Sequence, residues 1–112
     1  MKLTILGSGS LGNCYILESH NEVLILEAGI NFDKVKEALN FNISNILGVL
    51  VTHEHLDHAK YINQYLDAGI NVYSSQKTFE KLNLNSPYLI GLEKFKRIKI
   101  GEFKIYPFDT KH

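Results

Sequence analysis

Leu47-Gly48-Val49-Leu50-Val51-Thr52-His53-Glu54-His55-Leu56-Asp57-His58 is an unbroken apolar run followed at once by three histidines and two carboxylates. A run of five apolar residues, Leu47–Val51, with no polar alternation predicts a strand buried on both faces, as in the parallel part of an α/β sheet. His53 and His55 stand two apart where that strand leaves the sheet. Side chains of an extended chain alternate in direction, so both imidazoles point the same way and offer one nitrogen each to the same ion. Asp57 and His58 follow where the chain turns into a helix, and from there they reach toward a second ion beside the first. Three of the chain's five histidines fall within six positions. Histidines with a carboxylate suit zinc, with manganese or iron as alternatives. Strand C-terminal ends are also where open α/β sheets commonly bind ligands.

Working outward, the first quarter predicts three short strands. Leu3–Leu6 leads into a glycine-rich loop, Gly7–Asn13. Cys14–Glu18 and Val23–Glu27 are rich in strand-favouring residues, joined by the polar turn Ser19-His20-Asn21-Glu22. Asn31–Asn40 reads as a helix, with Asn31 as its cap, Asp33 in its first turn and Val35, Ala38 and Leu39 on one face. Ala59–Ala68 reads as a second helix that Gly69 stops. Ile70–Ser74 follows as a strand, then Gln76–Leu82 as a helix. Phe95–Ile100 and Phe103–Phe108 flank Gly101-Glu102 as a hairpin, with Pro107 at an edge or a bulge. Strands dominate both ends and helices alternate with strands in the middle. The pattern is that of an α/β or α+β layered domain.

The 112 residues are 45% hydrophobic and 21% charged, with twelve basic residues against twelve acidic ones. That length predicts one domain or part of one. The balanced charge gives no global pull toward nucleic acid or membrane. The basic run Lys94, Lys96, Arg97 and Lys99 reads as a solvated strand face. The single cysteine, Cys14, has no disulfide partner and reads as a small core residue. No apolar stretch is long enough to span a bilayer, and the N-terminus is broken by Gly7 too early for a secretory signal, so a cytoplasmic protein is expected.

Gly7-x-Gly9-x-x-Gly12 also matches a dinucleotide-binding fingerprint, with Glu27 as a ribose-binding acid. That fingerprint requires a helix opening at the loop. Cys14, Tyr15 and Ile16 favour a strand instead, so the dinucleotide reading is the weaker one.

The run Leu47–His58 resembles the strand and metal loop of metallo-β-lactamase superfamily hydrolases. Gly7-Ser8-Gly9-Ser10-Leu11-Gly12-Asn13 resembles the opening of one branch, the YycJ/WalJ-like proteins, regarded as nucleases or phosphodiesterases. The resemblance implies an αββα sandwich, of which residues 1–112 form the N-terminal half: a mixed sheet with helices on one face. It implies that His53, His55, Asp57 and His58 bind two metals, that His112 completes the first site, and that Asp57 also orients the attacking water. It further implies a phosphodiester or nucleic-acid substrate. Two departures stand out. Glu27 occupies a strand end where the family usually has aspartate, with an accessory role at the site or none. The half-domain would also leave a sheet face to be covered by missing sequence, a second copy or another protein. A non-catalytic metal-binding or truncated module remains the alternative from a different functional class.

Overall fold

The computed structural model describes residues 1–53 and 55–108, with Leu56 described by its backbone alone. Six strands form one mixed sheet in chain order: β1 (Lys2–Gly9), β2 (Gly12–Ser19), β3 (Glu22–Leu26), β4 (Ile46–Leu50), β5 (Val72–Ser75) and β6 (Leu89–Leu92). β1, β2 and β3 pair antiparallel through tight turns, and β3 to β6 pair parallel. Parallel neighbours need crossovers, and these carry the helices. α1 (Phe32–Ala38) links β3 to β4, α2 (Leu56–Ala59) and α3 (Ile62–Asp67) link β4 to β5, and α4 (Gln76–Lys81) links β5 to β6.

The helices pack on one face of the sheet. Val35 and Leu39 from the α1 segment, Ile62 and Tyr65 of α3 and Phe79 of α4 meet Cys14, Ile16, Val23, Ile25, Val49, Val51 and Val72, all buried. The opposite face is capped by a hairpin of β7 (Ile98–Ile100) and β8 (Phe103–Ile105). Its Ile100 and Phe103 bury against Leu24 and Tyr73. Glu22 anchors this hairpin, because its Oε1 accepts the Glu102 N–H at 2.9 Å. The cover stops short of β1. Leu3 and Ile5 remain 55% and 58% exposed, on the hairpin side, since Leu3 pairs with Leu17 and Leu17 with Leu24.

The mixed sheet with helices on one face agrees with expectation, and the differences have local causes. The glycine-rich segment is mostly strand: β1 runs to Gly9, with an irregularity between Ile5 and Gly7, and the turn is only Ser10-Leu11. The helix expected over 59–68 is two, since α2 already opens at Leu56 and α3 follows from Ile62. β6 was not anticipated. Gly91 at its centre weakens the strand signal, and pairing with β5 supplies what propensity does not.

Candidate metal centre

β3 and β4 run parallel with Leu26 opposite Leu50. The residues leaving them, Glu27 on one side and Thr52 and His53 on the other, therefore emerge at one edge of the sheet. Glu27 is buried and stands at φ 70°, a left-handed backbone uncommon for glutamate. Two backbone bonds hold it there: Glu27 N–H to Leu50 O at 2.8 Å and Ala28 N–H to His58 O at 2.6 Å.

A buried carboxylate is costly unless its oxygens are hydrogen-bonded. Oε1 of Glu27 accepts the Thr52 N–H at 2.9 Å, and Oε2 accepts the Thr52 hydroxyl. The hydroxyl has one proton, which goes to the carboxylate. Its contact with His53 Nδ1 at 2.7 Å must then be an acceptance from Nδ1–H. The network thus assigns the tautomer that carries the His53 lone pair on Nε2.

His58 Nδ1 lies 3.1 Å from the same Glu27 Oε2. The contact is within ion-pair range but off the hydrogen-bond axis, so this buried nitrogen has no aligned partner among the described residues. On the other side of the ring, Nε2 lies 3.7 Å from Asp57 Oδ2. The His53 and His58 rings stand 4.9 Å apart, and His53 and His55 5.9 Å.

Of the expected site residues, the structure brings His53 and His58 together with Glu27, each offering an atom within 4.8 Å of the others. Asp57 joins through His58. His55 sits beside His53 but is exposed, and His112 lies outside the described residues. Glu27 has both oxygens engaged by Thr52, so its geometry is that of a group orienting histidines rather than a ligand. The arrangement fits a divalent metal: clustered imidazoles beside a carboxylate, and a buried imidazole nitrogen held unsatisfied next to Glu27.

Three residues that sequence reasoning left without a role build this site. Thr52 links Glu27 to His53. Asn13 Nδ2 donates to Gly9 O at 3.1 Å and to Asp57 O at 3.2 Å, tying the β1–β2 turn to the histidine loop. Gly29 allows the loop to approach, since a Cβ there would stand 1.9 Å from the Asp57 carbonyl oxygen. The glycine-rich motif is therefore absorbed into scaffolding. Gly12 opens a strand, not the helix a dinucleotide site requires.

Cys14 lies beneath, its Sγ 4.0 Å from Tyr65 Oη, which donates to Ile30 O at 3.3 Å. Burial pushes the Cys14 thiol up to about 11 and raises Tyr65 as well. Cys14 is thus a neutral core residue and not a nucleophile.

The family model described as the metallo-beta-lactamase superfamily matches residues 7–98. Exodeoxyribonuclease WalJ of Streptococcus pneumoniae serotype 2 (strain D39 / NCTC 7466) is 34% identical over 92 residues, which cover 79% of this chain and 34% of that protein. Exodeoxyribonuclease YycJ of Bacillus anthracis is 33% identical over 96 residues, covering 81% and 34%. The chain thus spans about a third of the length of these curated relatives. The crystal structure of the metallo-beta-lactamase fold protein YhfI from Bacillus subtilis superposes with a TM-score of 0.76 at 17% identity, over 93% of this chain and 50% of that one.

Proposed function

Since this chain belongs to the metallo-beta-lactamase superfamily, we propose that the complete protein is a metal-dependent hydrolase of phosphodiesters, with nucleic acid as its substrate class. The observation that carries this reading is the convergence of Glu27, His53 and His58 within 4.8 Å at the end of two parallel strands. The relatives named exodeoxyribonucleases support the substrate class. Zinc, with manganese or iron as alternatives, would be held by His53, His55, Asp57, His58 and His112, and when bound it supplies the Lewis acidity that lowers the pKa of water toward neutrality.

The chain's own residues supply position. Thr52 sets the His53 tautomer, and Glu27 faces the inner nitrogen of His58. The Asp57 carboxylate, one third exposed, would hold metal and orient the attacking water by accepting a hydrogen bond from it. Residues 1–112 are read as the N-terminal half of the domain, with the remaining half, or a second copy of this chain, covering the exposed Leu3 and Ile5. No helix among the described residues is long and apolar enough to cross a membrane, and a cytoplasmic setting is part of this reading.

The test is hydrolysis of bis-p-nitrophenyl phosphate and of a single-stranded oligodeoxynucleotide with added Zn2+ or Mn2+. Asp57→Asn is expected to lower the rate by about a hundredfold or more, the scale of a positioned acid–base group. Stoichiometric metal binding with no turnover of either substrate would instead identify a non-catalytic metal-binding module.

A further inference from the structure

We propose that the outer face of the β7–β8 hairpin, with the loop before it, is a docking surface for a single strand of nucleic acid. The choice of nucleic acid as the polyanion rests on the function proposed above. The surface itself rests on independent features.

Residues 93–108 hold five of the chain's twelve basic residues and only two of its twelve acidic ones. Strand alternation sorts them. Ile98, Ile100, Phe103 and Ile105 turn inward to the second core cluster, while Lys99 and Lys104 are exposed. These two lysines are direct cross-strand partners. Like charges placed opposite each other destabilise a hairpin, and among the described residues neither has a carboxylate within ion-pair distance. The next outward pair is Arg97 and Tyr106, with the guanidinium 5.7 Å from the ring centroid.

Aromatic rings complete the surface. Phe95, Tyr106 and Phe108 are 62%, 50% and 64% exposed, and the Phe95 N–H donates to Pro107 O at 2.7 Å, tying the loop to the end of the hairpin. Of the two acidic residues, Glu93 pairs with Lys96 at 3.6 Å, and Glu102 sits at the turn, one cross-strand pair beyond Lys99 and Lys104, where Glu22 accepts its backbone N–H. A solvated strand face accounts for lysines. It does not account for two lysines set opposite each other on a hairpin whose open end carries three exposed rings. Cations along a backbone track, interleaved with rings on which bases stack, are the means by which single strands are held without sequence preference.

The position suits the proposed chemistry. The loop follows β6, so it leaves the sheet at the edge where Glu27, Thr52 and His53 emerge, two strands from β4. From that edge the hairpin runs to its turn at Glu22, the opposite end of β3 from Glu27, so a strand lying along it would lead from Lys99 and Lys104 toward the edge of the candidate site.

The test is fluorescence anisotropy of a labelled oligo-dT with chelator present, comparing wild type with Lys99→Gln/Lys104→Gln. Because hydrolysis plays no part in the readout, the result stands whether or not the protein proves to be a nuclease. At about 0.1 M salt the double variant should bind roughly tenfold or more weakly, and the slope of log K against log salt should shrink by about 1.4, as expected for two lost phosphate contacts on a single strand. Its thermal midpoint should equal or exceed wild type, since a like-charge pair is removed, which separates lost binding from lost folding. Equal affinity and slope in the two proteins, no binding by wild type, or displacement of the oligonucleotide by polyglutamate as readily as by unlabelled oligo-dT would each overturn the proposal.

Discussion

Gly29→Ala is expected to lower the thermal midpoint by about 10 °C or more and to unseat the histidine loop. A Cβ at this position would stand 1.9 Å from the Asp57 carbonyl oxygen and 2.6 Å from the Asn13 amide nitrogen. Both obstacles are backbone atoms, so no side-chain rotamer relieves the clash. Overpacking usually costs about 1–3 kcal/mol, and rigid neighbours place this case at about 3 kcal/mol or above, which for a chain of this size is a shift of about 10 °C. The loop would have to withdraw, breaking the Asn13 bond to Asp57 O. Gly9→Ala is the control. A Cβ there meets nothing within 4 Å among the described residues, and the variant's stability should stay within about 0.5 kcal/mol of wild type. Equal midpoints for the two variants in a thermal melt would show that Gly29 does not set the approach of the loop.

Glu27→Gln is expected to weaken zinc affinity by about ten- to a hundredfold, the usual range for losing a group that orients a metal-binding histidine. The substitution keeps the shape, removes one negative charge and replaces one acceptor oxygen with an N–H donor. The amide oxygen can still receive the Thr52 N–H, now bonded to Glu27 Oε1. The amide nitrogen would then face both the Thr52 hydroxyl and His58 Nδ1, which lie on the Oε2 side. An N–H donor beside His58 Nδ1 favours the tautomer with the ring proton on Nε2, the nitrogen on the Asp57 side, which then has no lone pair to offer a metal. The Thr52 hydroxyl would no longer donate to the carboxylate, which loosens its hold on the His53 tautomer. Stability should fall by about 1–3 kcal/mol, the cost of leaving buried donors unmatched. Zinc titration against a chromophoric chelator reads the first effect and urea denaturation the second. Affinity within twofold of wild type would remove Glu27 from the metal centre.

Much of this was legible in the sequence because two signals were strong. The unbroken apolar run before His53 marked the buried parallel strand, and the spacing of His53, His55, Asp57 and His58 marked the candidate site at its end. The family relationship followed from the same residues and is shown by the match over residues 7–98. What could not be read depends on three-dimensional approach. Thr52 is an ordinary polar residue at a strand end until Glu27 arrives from the neighbouring strand. Asn13 and Gly29 matter only because the β1–β2 turn, the β3 exit and the histidine loop meet. Glu27 was singled out as a departure from the family's usual aspartate, yet its contacts with Thr52 and His58 follow from its left-handed backbone, which no local pattern announces. The basic run at 94–99 is exposed, as a solvated face would be, and the sequence does not display the pairing of Lys99 with Lys104.

The central claim is that the residues leaving β3 and β4 hold a divalent metal. Its most direct measurement is metal content per chain by elemental analysis, on wild type and His53→Ala purified without chelator. The account predicts about one to two ions per wild-type chain and their loss from the variant, with the variant still folded by circular dichroism. Equal metal in the two proteins, or none in either, would contradict it.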